Sequence, residues 1–165
     1  LHRLIRRQRQ MCIRDSYLAV NDAVVARGQL SKTIDLHLTL DGDEISKYRA
    51  DGLLFSTPTG STAYSLSAGG PILAPKMECI LMTPVCPHSL FSRSVLFSGE
   101  SELSVHVKIP EECCCVLTID GEKNVPVLAT DRVVIRKSDL KLKLALLHNR
   151  NFYKLLNEKL KERDF

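Results

Sequence analysis

Apolar residues recur at every second position along much of this chain. Ile34, Leu36, Leu38 and Leu40 alternate with Asp35, His37 and Thr39. A period of two places one set on one face of an extended segment and the other set on the opposite face, which describes a half-buried strand and excludes a helix. Asp41 to Glu44, "DGDE", then supplies a hairpin turn. The alternation returns at Leu103, Val105, Val107 and Ile109, and again at Leu140, Leu142, Leu144 and Leu146 with Lys141 and Lys143 turned outward. Shorter apolar runs lie between them: "DGLLFST", "CILMT", "SVLFS", "CCCVLTI" and "RVVIRK", each bounded by Gly, Pro, Asp or Ser. About nine short strands result. So many strands with so little helix predict a mainly β, antiparallel, sandwich-like assembly rather than a parallel doubly wound sheet.

Two segments resist the strand reading. Thr62 to Ala68, "TAYSLSA", suits one short internal helix, entered through Gly60 and Ser61 with a hydroxyl to cap it, and ended by Gly69 and Pro71. The last stretch, "NRNFYKLLNEKLKERDF", sets Phe152, Leu155, Leu156, Lys159 and Leu160 at helical spacing, which predicts an amphipathic carboxy-terminal helix.

The formal net charge of +4 suggests a polyanion as partner until it is located. Residues 1–16, "LHRLIRRQRQMCIRDS", contain five arginines and one aspartate, and the remainder carries 18 basic and 18 acidic residues. All of the excess therefore sits in the first 16 residues. A basic arm binding phosphates is one reading of that segment. It also resembles a translated sequencing adapter, with "MCIRDS" as its end, so residues 1–16 are expected to be a non-native leader and residues 17–165 one domain. Neither nucleic acid nor a membrane is expected as a partner. No apolar run approaches the roughly 18 residues of a membrane span, and no signal-peptide pattern opens the chain, so a cytoplasmic location is expected.

Six cysteines, Cys12, Cys79, Cys86, Cys113, Cys114 and Cys115, include no pair at zinc-site spacing. The consecutive three read as small buried side chains in a strand, and no metal site is expected. Cys86 and His88 in "TPVCPHSL" resemble a nucleophile with its base, but two prolines stiffen that loop and no third orienting group accompanies them.

Three polar clusters stand against this apolar background. In "VNDAV", Asn21 offers an amide donor and acceptor beside the Asp22 carboxylate, a pair suited to a base edge and a ribose diol, although Asn-Asp is also a good turn. In "YRADGLLFS", Arg49 and Asp51 share a face of an extended segment, where they flank one ligand or pair with each other. In "STPTGSTAYSLSAGGP", backbone N–H groups at a helix start, the hydroxyls of Thr59, Ser61 and Thr62, a close-approach glycine and the flat ring of Tyr64 make a site for a nucleotide-like ligand. It is not a P-loop, since G-x-x-x-x-G-K-[ST] is absent.

The run "RADGLLFSTPTGSTAYSLSAGGPIL" followed by "TPVCPHSL" resembles the carboxy-terminal half of bacterial NAD kinases, and "VNDAV" is similar to their Asn-Glu/Asp motif. The likeness extends from about Tyr17 to the end of the chain. It implies that Asn21 and Asp22 contact the adenosine part of NAD, and that Thr62, Ala63, Tyr64, Ser65, Leu66 and Ser67 line the dinucleotide. By the same resemblance Arg49 and Asp51 reach the ligand, often across a subunit boundary in a homo-oligomer, a dimer or tetramer. Lys32 falls at a further contact position. Glu122 stands where the family usually has glutamine, which keeps an acceptor and loses the amide donor.

The family resemblance also implies a parent enzyme that transfers a phosphoryl group from ATP or polyphosphate, with Mg²⁺, to the 2′-hydroxyl of the NAD adenosine ribose. In that family a Gly-Gly-Asp-Gly motif in an amino-terminal α/β domain helps bind ATP and supplies the catalytic base. No such run occurs here, and the only Gly-Gly pair is Gly69–Gly70. The chain is accordingly expected to be a fragment that contributes most of the NAD site, has no catalytic residue of its own and is inactive alone. The alternative is a non-catalytic NAD-binding or sensing module.

Overall fold

The alternating segments pair into two antiparallel sheets. In the computed structural model, residues 15–28, 33–89, 92–108, 114–140, 142 and 151–161 are described. Ten strands form among them: β1 (Asp22–Arg27), β2 (Ile34–Leu40), β3 (Asp43–Ala50), β4 (Gly52–Ser56), β5 (Cys79–Val85), β6 (Val95–Ser98), β7 (Leu103–Lys108), β8 (Cys115–Ile119), β9 (Lys123–Val127) and β10 (Arg132–Ile135). One sheet runs β6-β5-β4-β1-β8-β9 and the other β10-β7-β2-β3. Every pair in both sheets is antiparallel. The mainly β, sandwich-like expectation holds.

Alternation explains the packing. Ile34, Leu36 and Leu38 of β2 are buried while Asp35, His37 and Thr39 are not. The inward row meets Leu103, Val105 and Val107 of the neighbouring β7, and across the sandwich it joins Val25, Leu53, Phe55, Ile80, Met82, Cys115 and Val127 in one apolar cluster. Leu36, Leu38, Leu53 and Val105 are fully buried there. Each such side chain removed from water contributes roughly 1.5–3 kcal/mol.

The β2–β3 hairpin turns on Asp41 and Gly42, both left-handed at φ 50° and 99°. Consecutive positive φ values match the twist of the strands they join, which favours an Asp-Gly sequence. Asp43 and Glu44 already belong to β3, so the turn is shorter than "DGDE" suggests. β1, β3 and β9 lack the clean alternation of β2 and escape a reading by period. β9 is an edge strand, where Pro126 costs no ladder bond.

Some local expectations change, while that of a carboxy-terminal helix holds. The internal helix is two pieces, a 3-10 turn over Thr59–Thr62 and α1 over Tyr64–Ser67, separated by Ala63 at φ −92°, ψ −130°. Neither piece has a side-chain cap. Leu140 and Leu142 lie exposed outside any strand, and Leu144 and Leu146 fall outside the described residues. Of the three consecutive cysteines, Cys115 is buried and Cys114 exposed, as alternation along an extended segment requires; Cys113 lies outside the described residues. The terminal helix, α2, spans Phe152–Lys161 and is capped by Asn151, whose Oδ1 accepts from the Tyr153 N–H at 2.9 Å. No helix among the described residues is long and apolar enough to cross a membrane.

Candidate functional site

The β1–β4 pairing sets Asp22 opposite Ser56, so the residues before β1 and after β4 leave the sheet at the same end. Those residues are Val20–Asn21 and Thr57–Thr62, two of the three polar clusters. Their backbones interlock. The Thr57 N–H donates to the Asn21 carbonyl at 2.9 Å, and the Thr57 hydroxyl donates to the Val20 carbonyl at 2.7 Å. The same Thr57 oxygen accepts from the Gly60 N–H at 3.0 Å. Gly60 then lies against the Asn21 backbone with no room for a side chain.

Small residues let the Thr57–Gly70 segment close over the outer face of the six-stranded sheet. Ser61 is fully buried, and its hydroxyl donates to the Pro58 carbonyl at 2.7 Å and accepts from the Leu73 N–H at 3.0 Å. The Ser65 hydroxyl is likewise buried and meets the Thr83 hydroxyl at 3.1 Å, which in turn meets that of Ser94 at 3.1 Å. Gly70 packs directly on both Ser65 and Thr83. The glycines and hydroxyls of this stretch thus have a packing role beside any ligand role. Within the expected lining of Thr62, Ala63, Tyr64, Ser65, Leu66 and Ser67, Ser65 points its side chain into the protein. Tyr64, 48% exposed, and Ser67 face outward.

The third contributor to this end of the sheet is the β8–β9 turn, Asp120–Gly121–Glu122. The Asp120 carboxylate accepts three successive backbone N–H groups, from Val20 at 2.8 Å, Asn21 at 2.7 Å and Asp22 at 3.0 Å. Its own N–H returns a bond to the Asp22 carbonyl at 2.9 Å. Burial pushes the Asp120 carboxyl up, but the three N–H donors outweigh it and its pKa lies below the usual value. Glu122, exposed on the same turn, is brought to the Asn21–Asp22 end. Lys123 extends its ammonium over the Tyr17 ring at 4.2 Å and fastens the approach to Val20.

Asp22 is 5% exposed, and burial, reinforced by the nearby Asp120 charge, raises its pKa. Among the described residues nothing donates to its carboxylate. Its cross-strand neighbour Ser56 is 3% exposed, with an Oγ that has no hydrogen-bond partner. Asp22, Ser56 and the Asn21 amide are therefore polar groups with unspent hydrogen-bonding capacity at one place, which suits a ligand rich in hydroxyls.

Arg49 and Asp51 behave otherwise. They do not pair with each other. Arg49 reaches Asp35 with Nε–Oδ1 at 3.0 Å, and Asp51 takes Arg27 with Nε–Oδ1 at 2.7 Å. The register explains this: Asp35 lies directly opposite Arg49 on β2, and Asp51 follows β3 at the corner where β1 ends. Arg49 borders an open depression on the outer face of the four-stranded sheet, together with Asp35, His37, Lys47, Tyr48 and Lys108. Arg27 is at the far end of β1 from Asp22, about 17 Å along the strand. Arg49 and Asp51 are thus not brought to Asn21 and Asp22 within this chain. Lys32 lies outside the described residues.

Asp120 is not among the candidates the sequence offers, where "DGE" points only to Glu122. A signal existed: an Asp-Gly pair directly after a strand marks a tight turn, whose first side chain is placed to bind nearby backbone N–H groups.

Comparison with known proteins converges on one family. The ATP-NAD kinase C-terminal domain matches residues 20–147. The chain is 42% identical over 163 residues, 98% of its length and 55% of the relative's, to the NAD kinase of Acidobacterium capsulatum. It is 41% identical over 145 residues, 88% of its length and 48% of the relative's, to that of Magnetococcus marinus. It spans about half the length of the curated relatives it matches. Among solved structures, an Archaeoglobus fulgidus NAD kinase in complex with ATP superposes with TM-score 0.67 at 32% identity, covering 74% of this chain and 46% of that one. Yeast NADH kinase complexed with NADH superposes with TM-score 0.73 at 29% identity, covering 87% and 44%.

Proposed function

Because the chain belongs to the ATP-NAD kinase family through its carboxy-terminal domain, we propose that it supplies the NAD-binding part of an enzyme that phosphorylates the 2′-hydroxyl of the NAD adenosine ribose, giving NADP. One observation carries the proposal: Asn21–Asp22 and Thr57–Thr62, separate in sequence, are locked backbone to backbone at one end of the β1–β4 pair. On this reading the Asn21 amide and the Asp22 carboxylate hold the adenosine part, with Asp22 accepting from a ribose hydroxyl. Thr62, Ala63, Tyr64, Leu66 and Ser67 form the wall along the dinucleotide, with Ser65 supporting it from inside. Glu122 closes the site from the β8–β9 turn, and Lys32 is a further contact.

Phosphoryl transfer depends on positioning and on neutralising charge, and these residues position the acceptor hydroxyl. Among the described residues no group of three or more His, Cys, Asp or Glu stands together to hold a metal ion. They do not make a Mg²⁺ cage, and we assign the ion to the phosphates of ATP. The phosphate donor is ATP or polyphosphate. The working form is a cytoplasmic homo-oligomer, dimer or tetramer, in which Arg49 and Asp51 serve the site of a neighbouring copy; their separation from Asn21 and Asp22 within one chain supports this.

Fusing this chain to the amino-terminal domain of the Acidobacterium capsulatum relative and supplying NAD with ATP tests the proposal. NADP formation that Asn21→Ala abolishes is the expected result. Failure of the 165-residue chain to bind NAD in calorimetry, together with a folded but inactive fusion, would refute it.

A further inference from the structure

We propose that Asp120 is a positioning residue for the dinucleotide, holding the Asn21–Asp22 backbone so that the amide and the carboxylate reach the same ligand. The inference rests on the NAD-binding reading of this site and names a residue that the reading does not include.

Six backbone groups run from the Val20 N–H to the Asp22 carbonyl, and all six are engaged. The three N–H groups donate to the Asp120 carboxylate. The Val20 carbonyl accepts from the Thr57 hydroxyl, the Asn21 carbonyl from the Thr57 N–H and the Asp22 carbonyl from the Asp120 N–H. Three successive N–H groups converging on one point make an anion-binding concavity, and an ionised carboxylate in it forms charge-assisted bonds. Asp120 supplies that anion from within the chain. It does so from a left-handed backbone at φ 49°, a conformation that aspartate tolerates better than most residues.

The side chains of the same segment show the reverse. Among the described residues the Asn21 amide has no partner and the Asp22 carboxylate no donor. A fully engaged backbone beneath unengaged side chains is a preorganised recognition element: its ordering cost is met during folding, not on ligand binding. A purely structural turn would need only the β8–β9 hairpin bonds, and it would not require a carboxylate on three N–H groups of another strand. Asp120 also begins the turn that carries Glu122, so one residue fixes two ligand-facing segments relative to each other.

The test compares the wild-type chain with Asp120→Ala and Asp120→Asn by calorimetric titration with NAD, alongside amide hydrogen exchange. Asp120→Ala should lose protection at the Val20, Asn21 and Asp22 amides and weaken NAD binding by at least about tenfold, while exchange in β2 and β7 stays unchanged. Asp120→Asn retains one acceptor oxygen and should recover part of the affinity. Should Asp120→Ala not fold, Asp120→Asn carries the test alone, and an affinity equal to wild type overturns the proposal. A folded Asp120→Ala that has lost the three protections and still binds NAD like wild type overturns the positioning role and leaves the NAD reading standing. Where the chain alone binds no NAD, the three proteins are compared as fusions to the amino-terminal domain, and a wild type that protects the three amides but binds no NAD in either form overturns both.

Discussion

The backbone of Gly60 rests on the backbone of Asn21: a Cβ added at Gly60 would stand 2.7 Å from the Asn21 Cα and overlap its carbonyl oxygen. Two motifs nearly 40 residues apart thus touch without an intervening side chain, which only glycine permits. Gly60→Ala forces one backbone to move, and overpacking of this kind costs about 1–3 kcal/mol. Thermal unfolding should show that loss, and NAD affinity should fall further than stability does, because Asn21 itself is displaced.

Asp22 carries a stability cost at neutral pH. Its folded pKa is raised, by burial first and by Asp120 second, so between the unfolded and the folded value the native state holds the extra proton and stability falls as pH rises through that window. Above the window the ionised carboxylate is buried at a loss. Asp22→Asn should therefore raise the melting temperature at pH 7, the gain should shrink as pH falls below the raised pKa, and NAD binding should weaken. A melting-temperature gain that does not depend on pH would contradict the assignment.

The hydroxyls of Ser65, Thr83 and Ser94 form a chain beneath α1. Thr83→Val preserves shape and removes the middle link, leaving the buried Ser65 hydroxyl without that partner, at a cost of about 1–3 kcal/mol. Urea titration should register the loss. Ser67→Ala, on the exposed side of the same helix, should leave stability unchanged.

Arg49 and Asp35 form an exposed ion pair, with 66% and 45% of their side chains accessible, and such pairs contribute little to folding. Arg49→Ala should leave the melting temperature unchanged. If Arg49 serves a neighbouring copy, Arg49→Ala and Asn21→Ala chains should each bind NAD poorly alone, whereas mixed assemblies should recover a fraction of sites. Calorimetry on the mixture would read this directly, and no recovery in a verified mixed oligomer would count against the shared site.

Much of the architecture is legible in the order of residues. Alternation at Ile34–Leu40 and Leu103–Val107 yields strands of the four-stranded sheet, because a period of two has one structural solution. Two of the three Asp-Gly pairs, Asp41–Gly42 and Asp120–Gly121, mark tight hairpin turns, since both turns need left-handed backbone; the third, Asp51–Gly52, leads into β4. Asn21, Asp22 and the Thr62–Ser67 stretch are nameable from their chemistry and from their resemblance to a family.

Sequence by itself thus determined which segments are extended, which face of each is apolar and which polar residues are chemically equipped for a nucleotide-like ligand, because these follow from short-range periodicity and side-chain type. Tertiary structure alone decided that Gly60 meets Asn21, that Arg49 and Asp51 take Asp35 and Arg27 instead of each other, and that Asp120 gathers three N–H groups nearly 100 residues away. Register and strand order set those contacts, and both arise from burying the two inner faces together, a condition that no local stretch encodes.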